Sequence, residues 1–141
     1  LKEHKAKGGH TWIYNNGKDR YSFGLNLWRS LRLGAEGRLE WIGIFTQGFA
    51  FYNLDGREPS FGMWLVHDQF GALKTPRWLS VREGLLDLRI RTALEALAKP
   101  DDPALQTWIL DGYKQDQKDW PEDKLEAVRV AMLKRLEQLA K

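Results

Sequence analysis

Two acidic residues in one loop come nearest, in type and spacing, to a catalytic pair. Asp55 and Glu58 lie in the segment QGFAFYNLDGREPS, residues 47–60, and hydrolysis of a glycosidic bond needs two carboxyl groups several ångströms apart. The dipeptide Asp55-Gly56 is also an ordinary turn, and Arg57 would keep either acid ionised. We therefore assign no catalytic residue in this chain.

Polar and aromatic residues also stand where predicted strands end. The carboxyl ends of parallel strands meet on one rim, where ligands bind in parallel barrels, so we expect these residues to lie close together. Aromatic rings suit the apolar faces of a sugar, and Asn, Gln, Asp and His suit its hydroxyl groups. The candidate substrate-binding residues are Tyr14, Asn15, Asn16, Phe45, Thr46, Gln47, His67 and Asp68 at strand ends, with Phe51, Asp55 and Glu58 in the loop.

Each candidate also has a structural explanation that the sequence leaves open. Tyr14 and Phe45 fit a core as well as a rim, and the 47–60 loop fits a surface loop that tucks its rings onto the core. His67 fits a strand-end histidine bonded to the backbone, and the other two histidines lie near the chain start, so we predict no metal site and no cofactor. We predict core positions for Trp28, Trp41, Trp64 and Trp78, which lie inside periodic elements.

The elements that must position these residues begin with three strands, predicted at residues 10–15, 38–46 and 61–67. A helix that is capped by Asp19 or Ser22 and ended by Gly34 joins the first two strands. A strand, a helix and a strand with short connections make a right-handed βαβ unit, so the predicted fold class is α/β, with parallel strands and covering helices. Residues 68–74 are predicted to form a polar turn.

The strongest helix signal begins at Pro76, after an N-cap at Thr75, and continues to Leu97. Apolar residues occupy more than half of its circumference, Leu79 among them, so the helix must pack against something large. We expect its charged strip to face water. That strip contains Arg82, Glu83, Asp87, Arg91 and Glu95.

Two further helices are predicted after residue 98. Asp102-Pro103 supplies a cap and a first-turn proline for a helix to about Lys118, and Pro121 starts the last helix. We therefore divide the chain into a β/α segment, residues 1–98, and a helical hairpin, residues 99–141, packed on the outside of the sheet. The apolar stripe of the last helix contains Leu125, Val128, Met132, Leu136 and Leu139.

Composition and charge restrict the possible functions. The net charge is +3, but the basic residues are interleaved with 19 acidic ones and form no block, so we predict no nucleic-acid partner. The absence of cysteine excludes thiol catalysis, disulfides and cysteine metal sites. No apolar run is long enough to span a membrane and no signal-peptide pattern is present, so we predict no membrane partner; the sequence does not indicate a cellular compartment.

Taken together, these segments resemble the C-terminal end of the barrel in glycoside hydrolase family 123 and its relatives of unassigned function. The successive segments are YNN, a helix ending in RLG, GRLEWIGIF, NLDGREP, WLVH and PRWLSVREGLLDLRIRTALE, within residues 10 to about 97. The sequence departs from the family pattern at Val66-His67-Asp68. The family's helix pattern is matched by Pro76, Arg77, Arg82, Glu83, Gly84 and Asp87.

The resemblance implies that the three strands are the last three of a (β/α)8 barrel and that helix 76–97 is its final helix. Three parallel strands cannot close a barrel, so we expect a homo-oligomer or a longer chain. The adjacent Asp-Glu pair that is catalytic in the family has no counterpart here, which implies catalysis outside this segment. The expected partner is a carbohydrate. The alternatives are a non-catalytic scaffold that binds glycan or protein and, least favoured, a nucleic-acid-binding module.

Overall fold

The computed structural model describes residues 2–14, 19–39, 64–67, 71–74, 76–106 and 120–141. Within these ranges the protein is mixed α/β and mostly helical. The helices are α1 (Lys2–Ala6), α2 (Arg20–Phe23), α3 (Leu25–Arg32), α4 (Pro76–Leu97), α5 (Pro103–Gln106) and α6 (Glu122–Leu139). The strands are β1 (Trp12–Tyr14), β2 (Gly37–Leu39), β3 (Trp64–His67) and β4 (Gly71–Lys74).

Strands β1 and β2 form the parallel pair that the sequence predicts. Trp12 lies opposite Gly37 and Tyr14 lies opposite Leu39. Helices α2 and α3 lie between the two strands in the chain, which confirms the predicted order of strand, helix and strand. The predicted extension of the second strand over residues 40–46 falls outside the described residues.

Strands β3 and β4 form an antiparallel hairpin in place of part of the predicted turn. The strand at Trp64–His67 is confirmed, but residues 71–74 continue as a strand, so the polar turn predicted for 68–74 is wrong over its second half. Three residues, 68–70, separate the two strands in the sequence, a spacing that suits a hairpin. Among the described residues, β3 pairs with β4 and not with β2.

The helix between β1 and β2 begins where the sequence predicts. The Asp19 side chain accepts hydrogen bonds from the Ser22 backbone N–H at 2.8 Å and from its hydroxyl at 3.0 Å, which satisfies donors that a helix start leaves without partners. Gly24 divides the segment into α2 and α3, an interruption that periodicity does not predict. The segment ends before Gly34, whose φ is +104°.

Helix α4 has the predicted bounds, and Val81 and Leu94 of its apolar rows are buried, but the prediction that its charged strip faces water is wrong at Asp87 and Arg91. Asp87 is 1% exposed and Arg91 2% exposed, whereas Leu79 and Leu97 are exposed, Leu97 to 59%. These two charged residues lie inside because other helices supply partners for Asp87, and Arg91 donates to the Leu105 carbonyl. A buried charge is tolerated when it is paired and hydrogen-bonded.

The main core lies between helices. Helix α6 packs on α4 and α5, so the C-terminal tail rests on the helix layer. The predicted stripe of α6 is confirmed, with Leu125 and Met132 buried and the other three residues packed around them. The predicted cap is confirmed too, since the Asp102 side chain accepts from the Ala104 backbone N–H at 3.0 Å. The cluster consists of Tyr21, Leu25, Leu94, Leu105, Trp120, Leu125 and Met132.

Candidate functional site

The predicted rim is described only in part. Tyr14 is the last residue of β1, and its side chain is 50% exposed rather than packed in the core. His67 is the last residue of β3. The other candidates, and the turn and loop that carry most of them, lie outside the described residues: Asn15, Asn16, Phe45, Thr46, Gln47, Phe51, Asp55, Glu58 and Asp68.

The β1–β2 pair presents an open aromatic face. Trp12 and Tyr14 lie on the same side of β1, because side chains two residues apart point to the same side of a strand. Leu39, opposite Tyr14, is 56% exposed, and Trp12 is 60% exposed. A Cβ on Gly37 would lie 2.9 Å from the Trp12 ring, so the glycine lets this indole lie directly over the neighbouring strand. We call Trp12, Tyr14 and Leu39 the open face.

Helix α2 contacts the strand pair through Arg38, whose neighbours in β2 are Gly37 and Leu39. The Arg38 guanidinium stands 3.8 Å from the centre of the Phe23 ring and donates to the Ser22 carbonyl at 2.7 Å. Alternation along β2 places Arg38 on the side opposite Leu39. The strand pair therefore has one side that contacts a helix and one side in water.

A cluster of buried charges joins three helices, and sequence reasoning missed it. Asp87 on α4 accepts from Arg20 Nε on α2 at 2.7 Å and from Arg129 Nε on α6 at 2.5 Å. Arg129 also donates to the Glu83 carboxylate at 2.6 Å and to the Glu83 carbonyl at 2.8 Å. Each of the two arginines thus fixes one helix against α4 in a defined position.

The electrostatics of this ion cluster keep its charges in place. Burial alone would lower the pKa of Arg20, but its interactions with Asp87, Glu126 and Glu122 outweigh burial and raise it. Hydrogen bonds from Arg129 lower the pKa of Glu83. The cluster is a set of satisfied ion pairs between helices, so it is suited to holding the fold rather than to proton transfer.

Two glycines explain why α2 and α4 approach closely enough for these ion pairs. A Cβ on Gly84 would collide with the Arg20 carbonyl and would lie 2.9 Å from the Gly24 backbone nitrogen. Gly24 is also the point at which α2 gives way to α3. The two backbones therefore cross directly over each other, one turn of α4 before Asp87.

The described part of the chain lacks two further features. Residues 2–14, 19–39, 64–67, 71–74, 76–106 and 120–141 contain no group of three His, Cys, Asp or Glu placed to hold a metal ion. Among these residues, no helix is both long enough and apolar enough to cross a membrane. Comparisons of the chain with protein-family models, with curated proteins and with solved structures each find no match.

Proposed function

We propose that this chain is the C-terminal segment of a glycoside-hydrolase-like protein that acts on or binds carbohydrate, with the main catalytic carboxylates outside the segment. Strands β1, β2 and β3 would then belong to the last three β/α units of a (β/α)8 barrel. The observation that carries the proposal is the β1–β2 pair, in which one side contacts a helix and the other bears the open face.

This arrangement is what an open section of barrel requires. In a β/α barrel the helices cover the outer side of the strands, and the other side of each strand points into the barrel. Parallel strands are normally buried on both sides. The open face therefore calls for further strands, supplied by a longer chain or by a second copy of this one.

The aromatic residues of the open face suit a carbohydrate ligand. Tyr14 stands at the carboxyl end of β1, the end at which parallel barrels bind ligands. Its ring offers an apolar surface to a sugar, and its hydroxyl group can donate or accept a hydrogen bond. The role that we assign to this chain is binding and orientation, and we assign it no catalytic pair.

A second candidate function is a non-catalytic scaffold that binds a protein partner. The observation that favours it is an exposed apolar row along α4, formed by Leu79, Leu86 and Leu97. Leu86 follows Leu79 by two helical turns and Leu97 follows it by five, so the three share one face. A protein partner would cover this row without any sugar being bound.

A glycan array probed with the 141-residue chain tests the first proposal. We expect binding to a restricted set of glycans, weakened about fivefold by Tyr14→Ala, since one stacked aromatic contributes on the order of 1 kcal/mol. Tyr14→Phe keeps the ring and should retain most of the affinity. Leu133→Ala, at an exposed residue of α6, is the matched control and should change nothing.

Glycan binding and protein capture together separate the two candidate functions. Glycan binding that Tyr14→Ala leaves unchanged would remove the open face from the proposal. The absence of glycan binding, together with capture of a protein that Leu86→Ala abolishes, would establish the scaffold function in its place.

A further inference from the structure

Helix α4 exposes a row of arginines between two rows of apolar or small residues. The first of these rows is formed by Leu79, Leu86 and Ala93, which are all exposed. They follow one another at a spacing of seven residues, which is about two turns of the helix. Leu97, one turn beyond Ala93, extends the row.

The arginine row consists of Arg82 and Arg89, which have the same spacing of seven residues. Each arginine follows a leucine of the first row by three residues, so the two rows lie about 60° apart around the helix. Leu85 follows Arg82 by a further three residues and forms the third row with the exposed Thr92. The arginines therefore lie along the middle of the exposed side rather than at its border. We call these three rows the outer face.

The positive charge of the outer face is only partly matched. The Arg89 side chain is exposed and forms no hydrogen bond or ion pair with the residues that the structure describes. Arg82 bonds to Glu83 at 2.8 Å, but Glu83 also binds Arg129. An ion pair as exposed as that of Arg82 contributes little, so a carboxylate from another molecule can replace Glu83 as its partner.

The acidic residues of α4 do not belong to the outer face. Each of them is bonded to an arginine of this helix or of a neighbouring one: Glu83, Asp87 and Glu95. The outer face therefore offers positive charge and apolar surface without a negative charge. Two copies of this face would bring arginines near arginines, and like charges across an interface are unfavourable.

The position of the arginines also favours a protein over an anionic membrane. A helix that lies on a membrane buries a continuous apolar face and keeps its charges on the opposite, polar face. On α4, Arg82 and Arg89 instead divide the exposed apolar surface into two rows. The charges would have to enter the apolar layer together with the leucines.

We propose that the outer face binds an amphipathic helix of a partner protein that carries acidic residues in the middle of its apolar face. A repeat of seven residues is the spacing at which two packed helices keep facing each other. Carboxylates opposite Arg82 and Arg89 would supply the missing negative charge, in a geometry that guanidinium groups match. From Leu79 to Leu97 the face is about 27 Å long, which fits a partner helix of about five turns.

This proposal rests on the second candidate function, the binding of a protein through α4, and does not depend on the open face. Fluorescence anisotropy with two labelled synthetic helices tests it. Both peptides are about three heptads long with leucines on one face, and they differ at the positions opposite Arg82 and Arg89, where one has Glu and the other has Lys. We expect the 141-residue chain to bind the Glu peptide saturably and the Lys peptide at least about tenfold more weakly.

Substitutions assign the preference to the outer face. Arg89→Glu should weaken binding of the Glu peptide at least about tenfold and strengthen binding of the Lys peptide. Lys134→Glu, at an exposed residue of α6, makes the same change of charge elsewhere and is the matched control that should alter neither. Leu86→Ala should weaken both peptides, because both need the apolar rows. The comparison of the two peptides on the unaltered chain tests the charge preference even if a variant fails to fold.

Four outcomes would overturn the proposal. Equal binding of the two peptides, lost in Leu86→Ala, would keep the protein-binding function and remove the acidic partner. Binding of neither peptide would remove the helical partner, while protein capture still decides the second candidate function. Binding to phosphatidylserine vesicles that Arg89→Glu abolishes, without peptide binding, would assign the outer face to a membrane. A dimer that Leu86→Ala converts to a monomer in light scattering would assign it to a second copy of this chain.

Discussion

The helix layer of this protein buries charged side chains, whereas its β1–β2 pair exposes aromatic ones. Between the helices, the charged residues Arg20 and Asp87 are almost completely buried. On the strand pair, the large rings of Trp12 and Tyr14 stand in water. Lys, Glu, Arg and Asp are almost never fully buried unless they are paired. The buried charges of the helix layer therefore have partners within the described residues, whereas the described residues place no covering surface on the open face.

The largest effect that we expect comes from removing the shared carboxylate of the helix layer. Asp87→Ala leaves Arg20 and Arg129 without their common partner, and breaking a buried ion pair in this way costs about 3–5 kcal/mol. Urea denaturation followed by circular dichroism measures the loss. Glu126→Gln, which changes an exposed partner of Arg20, should cost less than about 1 kcal/mol. Equal effects of the two substitutions would mean that burial does not matter in this cluster.

The next effect tests the close approach that makes the ion cluster possible. Gly84→Ala places a methyl group against the Arg20 carbonyl and the Gly24 backbone, and overpacking of this kind costs about 1–3 kcal/mol. The free energy of unfolding is again the measurement. Thr92→Ala, at an exposed position of the same helix, is the control and should stay within about 0.5 kcal/mol of the unaltered chain. A stabilised Gly84→Ala protein would show that α2 and α4 do not cross as described.

The open face gives the corresponding prediction for the strand pair. If its rings need a cover, the 141-residue chain should form a dimer or larger assembly, and Trp12→Ser with Tyr14→Ser should shift it toward the monomer. Light scattering measures the mass in each case. The control pair, Val130→Ser with Leu133→Ser on α6, removes exposed apolar residues elsewhere and should leave the mass unchanged. A monomeric, cooperatively melting parent chain would contradict the need for a cover.

Local signals in the sequence predict the elements of this fold well. The cap at Asp19, the start of α4 at Pro76 and the stripe of α6 all depend on residues within a few turns of one another. The strand at Gly71–Lys74 was missed because four residues that include a glycine carry little strand signal.

The faces of α4 could not be predicted in the same way. Periodicity assigns apolar residues to the core, but Asp87 is buried by arginines that lie 67 and 42 residues away in the sequence. The pattern along one helix contains no information about such distant partners. Of the candidate rim, the sequence predicted the position of Tyr14 at a strand end. The ion cluster arises only when separate helices pack together.

The smallest effect that we expect compares the two regions through pH. The pKa of Glu83 in the helix layer lies below its ordinary value of 4.5 because Arg129 and Arg82 hydrogen-bond to it, and the pKa of Glu36 beside β2 is lowered mainly by His10. A carboxylate whose pKa is lower in the folded state adds stability above pH 4.5, and that stability is lost as the pH falls through the folded pKa.

Both groups should therefore make the protein less stable in acid, but to different degrees. Glu83 is partly buried and binds Arg129 at 2.6 Å, whereas His10, the partner of Glu36, is largely exposed, so its ion pair is screened by water and salt. The urea midpoint should fall between pH 6 and pH 3. This dependence on pH should be clearly weaker in Glu83→Gln and only slightly weaker in Glu36→Gln. Added salt should remove the Glu36 contribution first. If the pH dependence weakens more in Glu36→Gln than in Glu83→Gln, the stronger ion pair lies beside the strand pair. That result would reverse the contrast between a helix layer whose charges are paired and a strand pair that is open to water.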